Sequence, residues 1–341
     1  MKQLLVDGVK GALIQETGIP EISRNQVLVK NSHSLVSTGT ELHYLNKSIN
    51  DNTRLRLGYC GVGEVKEVGA DVDCVQTGQK VIAMGWGYAV HAEYLAMPKR
   101  LVHAVPTGMK LEKALLANIM ATAVHAVDRA KLLQTDRVLV IGAGLVGQLV
   151  AEVARQTVSE LIITDFDCER CKTNDSITGI DSKTFMSRVT EFEGAFTKAF
   201  ICINGEADDW MNALVDLLNK RGNGVHRPRI IGVGRYSAKV NFSVELGNID
   251  MVFSARCGEG YRNDEYVHGL IDLESLPGEH TVDENLKRSL DLISQSDMQL
   301  DYLISNRVSL SELPEFYGEL EGQRQIMSAV VDYSHANVGI S

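Results

Sequence analysis

Val138-Leu139-Val140-Ile141-Gly142-Ala143-Gly144-Leu145-Val146-Gly147 runs from four apolar residues straight into a GxGxxG pattern. Alone, the glycines are a permissive signal. Their context sharpens it, because a short buried strand is expected to end at Ile141 and a helix to cover Gly147–Gln156. Gly142 permits the tight turn after the strand, Gly144 lets a pyrophosphate approach the backbone, and Gly147 lets helix and strand pack closely. Leu145 and Val146 complete the loop, and free N–H groups at the helix start favour an anion. Glu160–Thr164 reads as the next strand. Asp165 ends it, close to the roughly 20-residue separation at which an acid meets the adenosine ribose. A carboxylate there accepts hydrogen bonds from the ribose hydroxyls and repels a 2′-phosphate, which selects NAD over NADP. The plainer alternative is a solvated acid at a strand end. Arg170 would soften the preference, but Asp167 and Glu169 flank it. The expected cofactor is NAD.

Outward from this unit, Lys198–Ile203 and Arg229–Val233 read as further strands. Leu111–Leu133 reads as a helix, with Leu115, Ile119, Ala123 and Val127 at helical spacing. Strands alternating with helices indicate a parallel, doubly wound sheet. The polar stretch between Cys168 and Thr197 resists assignment. The first hundred residues differ: Gln26–Lys30, Gly63–Val68, Lys80–Met84 and Ala92–Met97 are short alternating stretches broken by glycine, and read as strands. Val68–Val72 followed by Thr77–Val81 looks like a strand pair on a glycine-assisted turn. After Cys257 come a helix at Val282–Ser294 and a last strand at Ala329–Tyr333. The expected class is α/β, with a β-rich domain over 1–115 and 258–341 and a nucleotide domain inserted at 116–257.

At 341 residues the chain suits two domains rather than one small core. Its 44% hydrophobic and 23% charged residues are ordinary for a globular protein. A formal net charge of −10 argues against nucleic acid or an anionic membrane as partner. No run approaches the roughly 18 apolar residues of a membrane span, and Leu4-Leu5-Val6 is too short for a signal peptide, so a cytoplasmic chain is expected. Cys168 and Cys171 form a CxxC without the second pair or histidines of a structural zinc site. All six cysteines are read as free thiols.

The order of elements joins several motifs: Thr38-Gly39-Thr40-Glu41-Leu42-His43, Gly58-Tyr59-Cys60-Gly61-Val62-Gly63-Glu64-Val65, Ala92-Glu93-Tyr94 and the glycine loop. Together they resemble the medium-chain dehydrogenase/reductase superfamily over nearly the whole chain. The resemblance implies a GroES-like β-rich catalytic domain, a Rossmann doubly wound parallel-sheet domain and an active site in the cleft between them. It also implies a small-molecule substrate and a homo-oligomer, dimer or tetramer. Zinc-dependent members of that family hold their metal at positions where this chain carries Thr38, Tyr59, Cys60 and Asn118. Threonine, tyrosine and asparagine are poor zinc donors, so no metal is expected, with Cys60 the one thiol among them. Ser37–Glu41, Gly58–Cys60 and Leu116–Asn118 resemble the zinc-lacking branch that includes bacteriochlorophyllide a dehydrogenase. Phe253–Gly258, continuing through Tyr261–Asp264, is similar to a stretch in zinc-free sugar-modifying dehydrogenases.

Within that resemblance Thr40 and His43 take the positions of a proton relay, a role suited to a histidine that titrates near neutrality. Tyr59 would offer a phenol to a carbonyl or alkoxide. Thr122 matches a nicotinamide contact and Glu41 an acid that orients its neighbours. Thr38, Cys60 and Asn118 are pocket candidates. Glu259 and Arg262, in a glycine-bracketed turn, either face the cleft or form a surface loop with a local ion pair. Thr40 and His43 could instead satisfy backbone groups, and Tyr59 could pack with its hydroxyl on the backbone. His91, His103 and His125 read as structural. The expected activity is a zinc-independent, NAD(H)-dependent interconversion of a secondary alcohol and a ketone on a sugar, cyclitol or other polar natural product. The alternatives are a zinc-free quinone or enoyl reductase of the same fold and a non-catalytic cofactor-binding protein.

Overall fold

The apolar run before the glycines is the strand Arg137–Ile141, buried from Val138 onward. In the computed structural model, which describes residues 1–172, 177–219, 227–295, 298, 300–320, 322–323 and 325–334, it lies inside a six-stranded parallel sheet. The spatial order is Thr178–Asp181, Glu160–Asp165, Arg137–Ile141, Lys198–Ile201, Arg229–Gly232, Asp250–Phe253. The order therefore reverses between Arg137–Ile141 and Lys198–Ile201. Sheets of this kind take ligands in the crevice beyond the carboxyl ends at that reversal, and Gly142 and Cys202 stand there. One face is sealed by Leu139, Ile141, Phe185, Phe196, Ile201 and Leu214. The doubly wound parallel sheet read from the sequence is present.

The chain divides into two units, one of residues 1–121, 258–275 and 280–341, the other of 122–257 and 276–279. In the second, the helix after the glycines covers Leu145–Ala154, starting two residues earlier than the spacing suggests. The long helix Leu111–Ala130, which spans the boundary in sequence, ends three residues short of Leu133. Lys131 takes a left-handed φ of 51°, and the Asp136 carboxylate accepts the Leu133 N–H at 2.8 Å, so the chain turns away there. The unassigned polar stretch holds a strand, Thr178–Asp181, and a helix, Ser182–Ser187, that Asp181 caps by accepting the Thr184 N–H; residues 173–176 lie outside the described residues. The helix Asp208–Leu217 and the edge strand Asp250–Phe253 were not anticipated. That strand has four residues and no fully buried one, which leaves too little apolar pattern to read.

The other unit is built on β-sheet. Strands are ordered Asn306–Ser309, Ser328–Asp332, Gln26–Ser37, Cys60–Val68, Lys80–Met84, Val102–Ala104, with Tyr94–Pro98 also pairing onto Gln26–Ser37. The C-terminal strand lies antiparallel to the N-terminal one, Val330 against Leu35. A second sheet joins Gly11–Glu16, Lys2–Asp7 and Arg54–Leu55. Cys60–Val68 and Lys80–Met84 pair antiparallel, but not on a tight turn. Gly69 N–H donates to Gln26 O and Asp71 N–H to Arg24 O, each at 2.8 Å, which draws residues 69–71 away from the partner strand. The helix Thr38–Asn50, absent from the sequence reading, packs Leu45 into a core with Leu4, Val36, Leu57, Leu313 and Tyr317. No helix among the described residues is long and apolar enough to cross a membrane.

Candidate functional site

The glycine loop can be tested as a cofactor cradle by asking what a side chain would meet at each position. Gly142 has a φ of +100°, which side-chain-bearing residues rarely adopt, and a Cβ there would lie 2.9 Å from Ile203 Cγ2. At Gly147 a Cβ would lie 1.8 Å from the Gly142 carbonyl oxygen. At Gly144 it would meet nothing nearer than Arg170 Nη1, at 3.8 Å. Two glycines are thus required by the turn and by helix–strand packing, while the third leaves open space beside the first turn of Leu145–Ala154. Gly144, at the N-cap, makes no side-chain cap, so the early N–H groups of Leu145, Val146 and Gly147 are unclaimed by any capping side chain. An open backbone at a helix N-terminus fits a pyrophosphate.

Asp165 is buried at the end of its strand. One carboxylate oxygen accepts the Ala143 N–H at 2.7 Å and the other accepts the Asp167 N–H at 3.0 Å. It therefore braces the glycine loop from the end of the neighbouring strand. Gln148 Nε2 donates to Arg170 O at 2.6 Å, which holds the turn carrying Arg170 against the same helix. Thr122 is half-buried on Leu111–Ala130.

In the β-rich unit, Thr40 and Tyr59 come together. The buried Tyr59 hydroxyl lies close to the Ser37 and Thr40 side chains, and burial, with Cys60 and Glu41 beside it, pushes its phenol well above the usual value. A phenol so placed is a neutral donor. Gly58 delivers it, with a φ of +100° and no room for a Cβ, which would lie 2.5 Å from His91 N. The helix Thr38–Asn50 places Thr40 in its first turn and His43 one turn further on. His43 is exposed, with its ring edge-on to Tyr44 at 5.3 Å.

Glu41 is fully buried. It accepts the Ser37 N–H at 3.0 Å, reaching back to the start of its own helix, and its other oxygen takes His91 Nε2 at 2.9 Å and the Tyr317 hydroxyl. Thr38 stands apart from the hydroxyl group, since its Oγ1 donates to the Ile326 and Met327 carbonyls, both at 3.0 Å. Asn118 is buried, donates to Gly61 O at 3.2 Å, and leaves its carbonyl oxygen without a partner. Cys60 is buried beside Tyr59, at the start of its strand. Glu259 and Arg262 are exposed and form no ion pair with each other; Arg262 lies over the Tyr261 ring at 5.8 Å. Among the described residues no group of three or more His, Cys, Asp or Glu side chains is arranged to hold a metal.

Several neighbours were missed from the sequence. The Trp86 ring packs on Tyr44 at 4.1 Å and lies 6.0 Å from Tyr59, and the Trp86 backbone N–H donates to the Tyr261 hydroxyl at 2.8 Å. These aromatics form a wall beside the hydroxyls despite an aromatic content of only 6%. The Gly85-Trp86-Gly87 triplet, a large ring between two flexible residues, was the one available signal. Tyr317 carried none, and His91, read from the sequence as structural, carried no sign of its contact with Glu41.

Residues 23–107 match the alcohol dehydrogenase GroES-like domain. The chain is similar to L-threonine 3-dehydrogenase of Legionella pneumophila (strain Corby), 26% identical over 191 residues, which is 47% of this chain and 56% of that protein. The match thus spans little more than half of that relative's length. Its fold is shared with galactitol-1-phosphate dehydrogenase from Escherichia coli at a TM-score of 0.77 and 16% identity, covering 98% of this chain and 100% of the other. A dehydrogenase from Sinorhizobium meliloti 1021, solved bound to NADP, shares it at a TM-score of 0.74 and 16% identity over 97% and 99% of the two chains.

Proposed function

From the match of residues 23–107 to the alcohol dehydrogenase GroES-like domain and the likeness to L-threonine 3-dehydrogenase, we propose that the chain belongs to the medium-chain dehydrogenase/reductase superfamily and is a zinc-independent, NAD(H)-dependent dehydrogenase interconverting a secondary alcohol and a ketone. The substrate class is a small polar molecule such as a sugar or cyclitol, and the branch is the zinc-lacking one that includes bacteriochlorophyllide a dehydrogenase. The observation that carries the reading is the Tyr59 hydroxyl grouped with those of Ser37 and Thr40. Of these, Tyr59 holds a position where the resemblance would otherwise put a metal donor. Gly142, Gly144, Gly147 and Asp165 would hold the cofactor, with Thr122 toward its nicotinamide. When bound, that cofactor supplies or accepts the hydride.

The proton is the protein's task. In ketone reduction the neutral Tyr59 phenol donates a hydrogen bond to the carbonyl oxygen and then its proton to the developing alkoxide. Thr40 returns a proton to Tyr59, and His43, exposed on the same helix face, draws it from solvent. The reverse sequence serves alcohol oxidation. Glu41 orients the opening of the helix, and Trp86 and Tyr44 flank the hydroxyls with apolar surface.

Titration of the protein with NADH and NADPH, followed by nicotinamide fluorescence, tests the role of Asp165. NADH is expected to bind at least about tenfold more tightly, a difference of roughly 1.4 kcal/mol. Equal or stronger binding of NADPH would overturn the choice of NAD. The zinc-independent reading predicts less than about 0.1 zinc per chain after purification without chelator, and unchanged turnover after dialysis against a strong chelator. One tightly held zinc per chain, lost together with activity, would sink it.

A further inference from the structure

Resting on that reading and deepening it, we propose that His91 is a positioning residue that sets the Thr40 and Tyr59 hydroxyls against each other. It reaches both by separate routes. Through its ring, Nε2 lies 2.9 Å from Glu41, the residue after Thr40, and Glu41 in turn holds the Ser37 N–H at the helix start. Through its backbone, His91 N–H donates to Leu57 O at 2.8 Å and packs onto Gly58, so closely that a Cβ on that glycine would be 2.5 Å away. Gly58 is the residue that delivers Tyr59. One residue thus keys the turn before Tyr59 to the helix carrying Thr40, by its backbone on one side and its ring on the other.

The rest of the network fixes His91 itself. Its Nδ1 lies 2.6 Å from Ser34 Oγ, which lies 2.8 Å from the Tyr333 hydroxyl. The Tyr317 hydroxyl bonds Glu41 and lies 3.3 Å from His91 Nε2. Glu41, His91 and Ser34 are each 0% exposed, so water cannot replace a lost partner. A buried carboxylate deprived of one of its donors is destabilised unless its surroundings move, and the same carboxylate holds the helix opening with Thr40 on it. Burial and the Glu41 charge also raise the Tyr317 phenol, which keeps that hydroxyl a donor to the carboxylate. Ordinary core cohesion would need only matched apolar side chains at these positions.

The test uses the full chain labelled with 3-fluorotyrosine, the Tyr59 resonance being assigned by its loss in Tyr59→Phe. His91→Leu is expected to shift that resonance and to lower kcat at least about tenfold, with KM for the alcohol and Kd for NADH within about twofold. His91→Gln, whose amide can still donate to Glu41, is expected to recover most of both. Leu313→Ala loosens the core against which Tyr317 packs but removes no hydrogen-bonding group of the network, and calibrates what lost stability alone does. An unmoved Tyr59 resonance in His91→Leu would overturn the proposal, as would a shift and loss that Leu313→Ala reproduces at the same Tm. Where His91→Leu does not fold, His91→Asn, too short to reach Glu41, gives the same comparison. If the unmodified protein turns over no alcohol, the functional reading fails while the resonance still decides the positioning role.

Discussion

Replacing Tyr59 by phenylalanine is expected to lower kcat for ketone reduction by about 100- to 1,000-fold while Kd for NADH stays within about twofold. The substitution removes one oxygen from a buried group and leaves the ring against Trp86. What is lost is the donor to the developing alkoxide, so the effect falls on the chemical step. Burial, with Cys60 and Glu41 beside it, holds the phenol well above its usual value near 10, and its active form in reduction is the protonated one. The reduction rate should therefore hold its plateau as pH rises through 10 and fall only above that, where this phenol finally ionises. Single-turnover NADH oxidation across that pH range measures both effects. Full activity of Tyr59→Phe would remove the mechanism, whatever the fate of the cofactor site.

Gly147→Ala is expected to raise Kd for NADH at least about 100-fold, some 2.7 kcal/mol of binding, and to lower the Tm as well. The added carbon would lie 1.8 Å from the Gly142 carbonyl oxygen, far inside contact distance, so the helix start must move off the strand end. Overpacking of this sort costs about 1–3 kcal/mol of stability, and here the displaced part is the anion-binding end of the helix. Gly144→Ala separates the two effects. Nothing but Arg170 Nη1 approaches that position, at 3.8 Å, so the free protein should melt as before while NADH binding weakens by the volume of one methyl group. Thermal melts paired with NADH titrations of the two variants distinguish a packing glycine from a ligand-facing one. Wild-type binding by Gly147→Ala would show that the loop does not hold the cofactor.

The parallel-sheet half of the fold was legible because its signals are local. Strand, glycines and acid lie within 28 residues, from Val138 to Asp165, and each glycine is explained by a turn, a contact or an opening next to it. The helix Thr38–Asn50 was hidden for the opposite reason. It opens on Thr-Gly-Thr, which carries little helix propensity, and is held by a reach-back from Glu41 and by tertiary packing of Leu45. Of the catalytic candidates, Thr40 and Tyr59 came from a resemblance, on separate motifs; only the fold brings their hydroxyls together. The partners of Glu41 lie 50 and 276 residues away, and no spacing rule connects His91 or Tyr317 to it. Thr38 shared its motif with Thr40, yet a backbone pair at Ile326 and Met327 takes its hydroxyl.

The pairing of Ser328–Asp332 with Gln26–Ser37 also sets a timetable for the newborn chain. All six strands of the parallel sheet lie between residues 137 and 253, so that half can close before translation ends. Leu35 must wait for Val330, and at about 5–20 residues per second the interval is on the order of tens of seconds. For that time one edge of a hydrophobic strand has no native neighbour, and such an edge pairs readily with other chains. The β-rich half is therefore the part of the nascent protein most in need of a chaperone, although Leu35 leaves the ribosome before any strand of the parallel sheet.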